Sequence, residues 1–163
     1  MDRSKLPYRK NCEGYLICKD GKVVVRDTGK GYLEFPGGGV DEKEKPENAL
    51  KREAFEEAGV ILDGNLKEIN VLTFIWGTDW ARTGKQKERY KKFKGEEMHF
   101  FTGKVKELIT PEGDSNEGGW IGERTMKIKD AINKINSFKP FPDEIKDYYE
   151  FQIGSLKNLD LGN

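Results

Sequence analysis

The sequence predicts an α+β domain built on a mixed β-sheet with helices over both faces, and three observations lead there. Strand-like runs are interleaved with helical patterns along the whole chain. A helix predicted over residues 46–58 carries an apolar arc and an acidic arc. The length, 163 residues, suits a single domain with room for a real core, so residues 1–163 are taken as one unit.

Residues 11–18 read as the first strand. Asp20-Gly21 is a hairpin turn signal, and residues 22–26 return through the β-branched Val23, Val24 and Val25. Residues 32–35 form a short strand that Pro36 ends. Residues 37–45, opened by Gly37, Gly38 and Gly39, read as a loop. Pro46 then starts a helix, where its missing N–H costs nothing. Glu47 complements the positive helix end, and Gly59 reads as the C-cap. On this helix Leu50, Ala54, Phe55 and Ala58 are assigned to the sheet-facing arc, and Glu53, Glu56 and Glu57 to the opposite one. Residues 66–76 and 98–105 are predicted as two long strands, and residues 112–119 as a loop. Two C-terminal helices fall within about residues 125–158. The first is written in Ile128, Ala131, Ile132, Ile135 and Phe138 and stopped by Pro140 and Pro142. The second uses Ile145, Tyr148, Tyr149, Ile153 and Leu156, with an interruption expected near Gly154.

Composition narrows the function classes. Lys and Arg total 29 and Asp and Glu total 29, so no global basic bias points to nucleic acid. No apolar run reaches the length of a membrane span, and no apolar stretch follows the charged residues 1–5. A cytoplasmic protein without a membrane partner is the expectation. Cys12 and Cys18 are too far apart along one strand to bridge, so both read as free thiols in a reducing compartment. His99 is the only histidine, which excludes a multi-histidine zinc site.

The helix at 46–58 carries the chemistry. Glu53, Glu56 and Glu57 stand three and four residues apart, where like charges repel and weaken a helix. A divalent cation reverses that cost, and an oxygen-rich set suits Mg²⁺ or Mn²⁺. With Gly38, Glu44, Arg52 and Gly59 these residues spell G-x5-E-x7-R-E-U-x-E-E-x-G-U, where Ala54 and Val60 fill the apolar positions U. This box, residues 38–60, resembles the signature of the Nudix hydrolases at every specified position. The flank from Phe35 through Pro36 and Gly37 to Val40 also looks like that family's entry into its box.

The resemblance implies a Nudix-type α/β/α sandwich and hydrolysis of a diphosphate linkage in a nucleoside diphosphate joined to another group. It implies Glu53, Glu56 and Glu57 as ligands of Mg²⁺ (or Mn²⁺), with a backbone carbonyl of Gly37 or Gly38 added. Arg52 would orient a glutamate and Glu44 would steady the loop–helix junction. For the general base, Glu53 and Glu56 stand within the box, and Glu117, Glu96 and Glu97 outside it. Gly37, Gly38 and Gly39 would bring backbone close to phosphate and supply positive φ.

The substrate is written elsewhere. Across residues 79–94, Arg82, Lys85, Lys87, Arg89, Lys91, Lys92 and Lys94 face only Asp79 and Glu88. One reading is a basic lid in which Arg82 and Lys91 bind a polyphosphate or an RNA 5′ end while Trp76, Trp80, Tyr90 or Phe93 stacks on a base. The other is a solvated hairpin extension. The leading expectation is a Mg²⁺-dependent hydrolase of a nucleoside diphosphate derivative or a nucleoside triphosphate. A dinucleoside polyphosphate or RNA 5′-end pyrophosphohydrolase and a catalytically silent nucleotide-binding module stand as alternatives. A diphosphate isomerase would need cysteine and histidine chemistry that Cys12, Cys18 and His99 give little sign of. Assembly as a homodimer is left open.

Overall fold

The computed structural model describes residues 2–111 and 119–162. Two long strands form its spine. β1 (Tyr8–Ile17) runs parallel to β8 (Gly95–Leu108), in register from Tyr8↔Gly95 to Ile17↔Lys104. Each takes antiparallel partners on its outer edge. Along β1 these are β2 (Lys22–Val24) and β5 (Gly37–Gly39). Along β8 they are β6 (Val60–Leu62) and β7 (Lys67–Ile75). β9 (Thr125–Lys127) extends the sheet beyond β2, while β3 (Arg26–Asp27) and β4 (Leu33–Glu34) pair separately. The sheet is therefore mixed, as predicted.

Strand alternation sends side chains to two cores. Tyr15, Ile17 and Phe100 pack with Ile128, Ala131 and Ile135 of α3 (Ile128–Asn136) and with Ile153 and Leu156 of α4 (Lys146–Leu161). Cys12, Leu16 and Phe101 pack on the other face with Leu50, Ala54 and Ala58 of α1 (Pro46–Ala58). Gly14 lets α1 come close, because a Cβ there would lie 2.8 Å from a methyl of Leu50. This is the α/β/α sandwich. Among the described residues no helix is long and apolar enough to cross a membrane.

Several local expectations change. Gly37–Gly39 is a strand rather than a loop, fixed by pairing with Glu13, Cys12 and Asn11 that the glycines do not announce. α4 runs unbroken through Gly154, since Ile153 and Leu156 hold the helix to the core on either side of it. Residues 77–95 are neither a bare hairpin nor an unstructured lid. They hold a 3₁₀ turn, Thr78–Trp80, and a helix α2 (Gly84–Lys92).

The two arcs of α1 also overlap. Its buried residues are Ala49, Leu50, Ala54 and Ala58, and Phe55 is only half-buried. Glu57 follows Leu50 by seven residues, almost two full turns, so it shares the buried side instead of opposing it. The acidic row therefore dips into the sheet interface at β5.

Candidate active site

The site forms where α1 meets β5. All three glycines sit in close quarters, and Gly37, which faces backbone, is held to its identity. A Cβ on Gly37 would lie 2.1 Å from the carbonyl oxygen of Cys12, and one on Gly39 would lie 2.3 Å from Nη2 of Arg9. A Cβ on Gly38 would meet the Glu53 carboxyl carbon at 2.8 Å. None of the three has positive φ. Their function is contact, not the conformational freedom expected of them.

Arg52 organises the acids. Its Nε and Nη2 donate to the two carboxylate oxygens of Glu44 at 3.1 and 3.0 Å, a bidentate fork. Nη1 donates to Glu53 Oε1 at 2.9 Å and lies 3.6 Å from Glu56 Oε2. Nη2 also reaches the Gly39 carbonyl at 3.3 Å. These partners, Glu44 first, raise the guanidinium pKa further and hold Glu44 below the usual carboxylate range. Glu44 in turn accepts the Asp41 N–H at 3.1 Å and closes the loop into the helix.

Glu53 and Glu57 respond in the opposite direction. Burial raises Glu53 although Arg52 opposes it. Burial pushes Glu57 up to about 8, the nearby Glu53 adding to the rise and the Gly37 N–H, 3.1 Å away, opposing it. The backbone N–H of Trp120, a buried residue, donates to the Glu57 carbonyl at 2.7 Å and fixes that turn of the helix. Two desolvated carboxylates that destabilise each other are what a divalent cation relieves, so the donor set fits Mg²⁺ or Mn²⁺. Among the described residues no three Asp, Glu, His or Cys side chains already converge on one point. Arg52 holds Glu53 and Glu56, and Glu57 turns to Gly37.

An open cleft of about 840 Å³ begins at this junction. Its walls include Gly37, Gly38 and Gly39, the basic Arg9, Arg82 and Arg89, the acidic Glu13 and Glu96, and Trp76 and Trp80. Sequence comparison is decisive for this arrangement. The NUDIX domain model matches residues 9–149. The chain belongs to the Nudix family.

Among similar Nudix proteins, the RNA pyrophosphohydrolase of Bartonella clarridgeiae is 28% identical over 161 residues, covering 85% of this chain and 87% of that protein. The RNA pyrophosphohydrolase of Sphingopyxis alaskensis is 42% identical over 64 residues, but the match spans only 37% of this chain and 40% of the relative's length. A solved structure from a study of MutT from Aliivibrio salmonicida and Vibrio cholerae shares the fold, with a TM-score of 0.53 at 19% identity. It covers 90% of this chain and 96% of that one.

Within this Nudix fold the predicted site residues separate. Glu53, Glu56, Glu57, Arg52 and Gly37, Gly38 and Gly39 come together at one junction. Arg82 lines the cleft. Lys91 does not: it is exposed on α2 and paired with Glu88 at 3.0 Å, an ordinary i,i+3 contact. Glu117 lies outside the described residues. Glu96 lines the cleft, raised by burial against the pull of Arg9. Glu97 instead bonds His99 at 2.8 Å, away from the cleft lining.

The expectations missed Arg9, Asn11 and Glu13 in β1 and did not single out Arg89. The β1 signal was present. Polar residues at positions 9, 11 and 13 share one face of a strand that is buried from Asn11 to Ile17. Burial and the nearby Arg89 cation lower the Arg9 guanidinium. Arg9 and Arg89 line the cleft together, beside the acids Glu13, Asp79, Glu96 and Glu144. Arg89 was hidden among neighbours of equal charge.

Proposed function

We propose that this Nudix pyrophosphohydrolase cleaves a diphosphate linkage in a nucleotide 5′-polyphosphate, and that the 5′ end of an RNA is its substrate. The observation that carries the reading is one continuous cleft. It runs from the glycine strand, against which Glu53 and Glu57 lie, to Arg9, Arg82 and Arg89. Similarity to an RNA pyrophosphohydrolase over 85% of the chain supports the RNA assignment. A second reading, hydrolysis of free nucleoside triphosphates, is favoured by the zero net charge, which gives no general pull on a nucleic-acid backbone. An isomerase draws no support: burial pushes Cys12 to about 12 and Cys18 to about 11, so both stay thiols.

In this reading Glu53, Glu56, Glu57 and the Gly38 carbonyl would hold Mg²⁺ or Mn²⁺. When bound, the ion offsets the diphosphate charge and lowers the pKa of water. Arg52 keeps Glu53 oriented by its bond to Oε1, and Glu53 or Glu56 would accept the proton of the attacking water. Arg9, Arg82 and Arg89 take the phosphate oxygens through charge-assisted hydrogen bonds.

The test is phosphate and pyrophosphate release from 5′-triphosphorylated RNA and from a nucleoside triphosphate panel, each with Mg²⁺ and with chelator. Higher kcat/KM on RNA, abolished by chelator, supports the proposal. Equal or better turnover of free nucleotides moves the substrate to the second reading. Tight nucleotide binding without release would make the protein a silent module.

A further inference from the structure

We propose that the stacked pair Trp76–Trp80 is a platform for the first nucleobase of the substrate, and that the Asp79 carboxylate selects guanine at that position. This rests on the nucleotide 5′-polyphosphate reading above.

The pair is built by the turn that follows β7. Trp76 is 6% exposed, and its backbone N–H donates to the Lys94 carbonyl at 3.0 Å across the neck of the connection. The chain then folds back through Thr78–Trp80, where the Trp80 N–H donates to the Gly77 carbonyl at 3.1 Å. This lays the Trp80 ring flat on Trp76, with centroids 3.6 Å apart and planes within 4°. Aromatic pairs left to their own quadrupoles prefer offset or edge-on contacts. The other ring pairs described in this protein obey that, with centroids 4.4–6.4 Å apart and mostly tilted or edge-on. The backbone thus imposes a sandwich that packing alone does not favour. Both rings line the cleft and Trp80 is only half-buried, so a third flat ring continues the stack. Ile75 and Ile145, 74% and 37% exposed, add apolar cleft wall that no other part of the described protein covers fully.

Asp79 stands between the platform residues in sequence and also lines the cleft. Its carbonyl accepts Arg82 Nε at 3.2 Å, which ties the turn to a cationic cleft residue. Its carboxylate makes no hydrogen bond or ion pair among the described residues, although Arg82 and Arg89 line the same cleft. Asp79 is exposed, so its carboxylate is free to accept from a donor on the ligand. Guanine presents two adjacent N–H donors on one edge, N1–H and the 2-amino group, which match a carboxylate fork; adenine and cytosine lack that pair.

The experiment compares 5′-triphosphorylated RNAs that differ only at the first position: guanine, adenine, cytosine or no base. For Trp80→Leu, KM on the base-bearing RNAs should rise about tenfold, and the gap to the abasic RNA should close. Its kcat should stay within about twofold, because a stacking contact remote from the bond acts on binding, and Trp80→Phe should recover most of the loss. Asp79→Asn should remove the preference for guanine while keeping the gap between base-bearing and abasic RNA. A wild type that treats abasic and guanine RNA alike overturns the platform, as does a Trp80→Leu protein whose only change is a lower kcat. A guanine preference that survives Asp79→Asn overturns the selection by Asp79.

A second arm needs no turnover. Guanosine 5′-monophosphate, which has no diphosphate linkage, should quench tryptophan fluorescence in chelator, and Trp80→Leu should abolish the quench. Quenching without any phosphate release would defeat the hydrolase reading and keep the platform. Hydrolysis without quenching or base dependence would do the reverse.

Discussion

The box at residues 38–60 and the connection at 76–94 are both crowded with charge, yet they hold it differently. In the box one arginine touches Glu44, Glu53, Glu56 and the Gly39 carbonyl, and Glu57 is drawn into the sheet interface. On α2 the lysines stand in water, and the Lys91–Glu88 contact joins two side chains that are 71% and 65% exposed. Charge that is desolvated and cross-linked fixes residue identity, because each neighbour depends on it. Solvated charge contributes a field, and many arrangements of it serve equally well. This is why the family signature lies in one region and substrate choice is assigned to the other.

The sharpest way to test the contrast is turnover. Glu53→Gln or Glu57→Gln should lower kcat by about 10²- to 10⁴-fold in Mg²⁺ while the far-ultraviolet circular dichroism is kept. Lys91→Ser and Lys92→Ser should each stay within about threefold, as exposed charges screened by salt. Comparable losses in both sets would erase the distinction.

Glycine gives the next largest effect. A methyl on Gly37 meets the Cys12 backbone at 2.1 Å, and a paired strand cannot move aside. Gly37→Ala should lose about 3 kcal/mol of stability in urea titration, near the upper range for overpacking. Gly77 has nothing within 4 Å of its would-be Cβ, so Gly77→Ala should stay within about 0.5 kcal/mol. Similar urea midpoints for the two variants would mean that β5 is not held as described.

The pH response should split along the same line. Burial raises Glu13 from the ordinary 4.5, although Tyr148, Tyr15 and Gln152 all donate hydrogen bonds to it. A raised native value means that the native state holds the extra proton. Glu13 therefore makes stability fall as pH rises above about 4.5 through its native value, by at most about 1.4 kcal/mol per pH unit. Glu13→Gln should flatten that slope. Exposed Glu88 is lowered by its bond to Lys91, so its contribution has the opposite sign: present above 4.5 and lost as pH falls through its native value. Chemical denaturation at pH 2 to 8 checks both, and an unchanged slope in Glu13→Gln would show that this carboxyl is not desolvated.

How much was legible in the sequence follows from the same distinction. The box was readable because contact dictates its residue types: glycine for close approach, arginine for a fork, glutamates for a cation. The burial of Glu57 was not read, because the helix was divided into opposed arcs although Glu57 lies two turns from Leu50. β5 was invisible because three glycines carry no strand signal and its hydrogen bonds come from distant β1. α2 was hidden by its charge, yet Thr83-Gly84-Lys85-Gln86 spells a capping box, and the structure forms both of its hydrogen bonds.

The smallest effect probes α2 itself. Thr83→Ala removes the side chain that accepts the Gln86 N–H at 3.1 Å, and should cost the helix about 1 kcal/mol. Gly84→Ala, whose methyl meets nothing within 4 Å, should strengthen it by about 0.5 kcal/mol. α2 buries no residue, so these changes should appear in amide exchange of α2 with little movement of the global melting temperature. Its ties to the rest of the protein include Arg3, which donates to the Tyr90 and Phe93 carbonyls and lies over the Tyr90 ring at 3.3 Å. If Thr83→Ala lowers the global melting temperature as much as it loosens α2, those few ties couple the helix to the core. The connection would then be a structural part of the fold, and the division between a cross-linked box and a solvated arm would fail at this point.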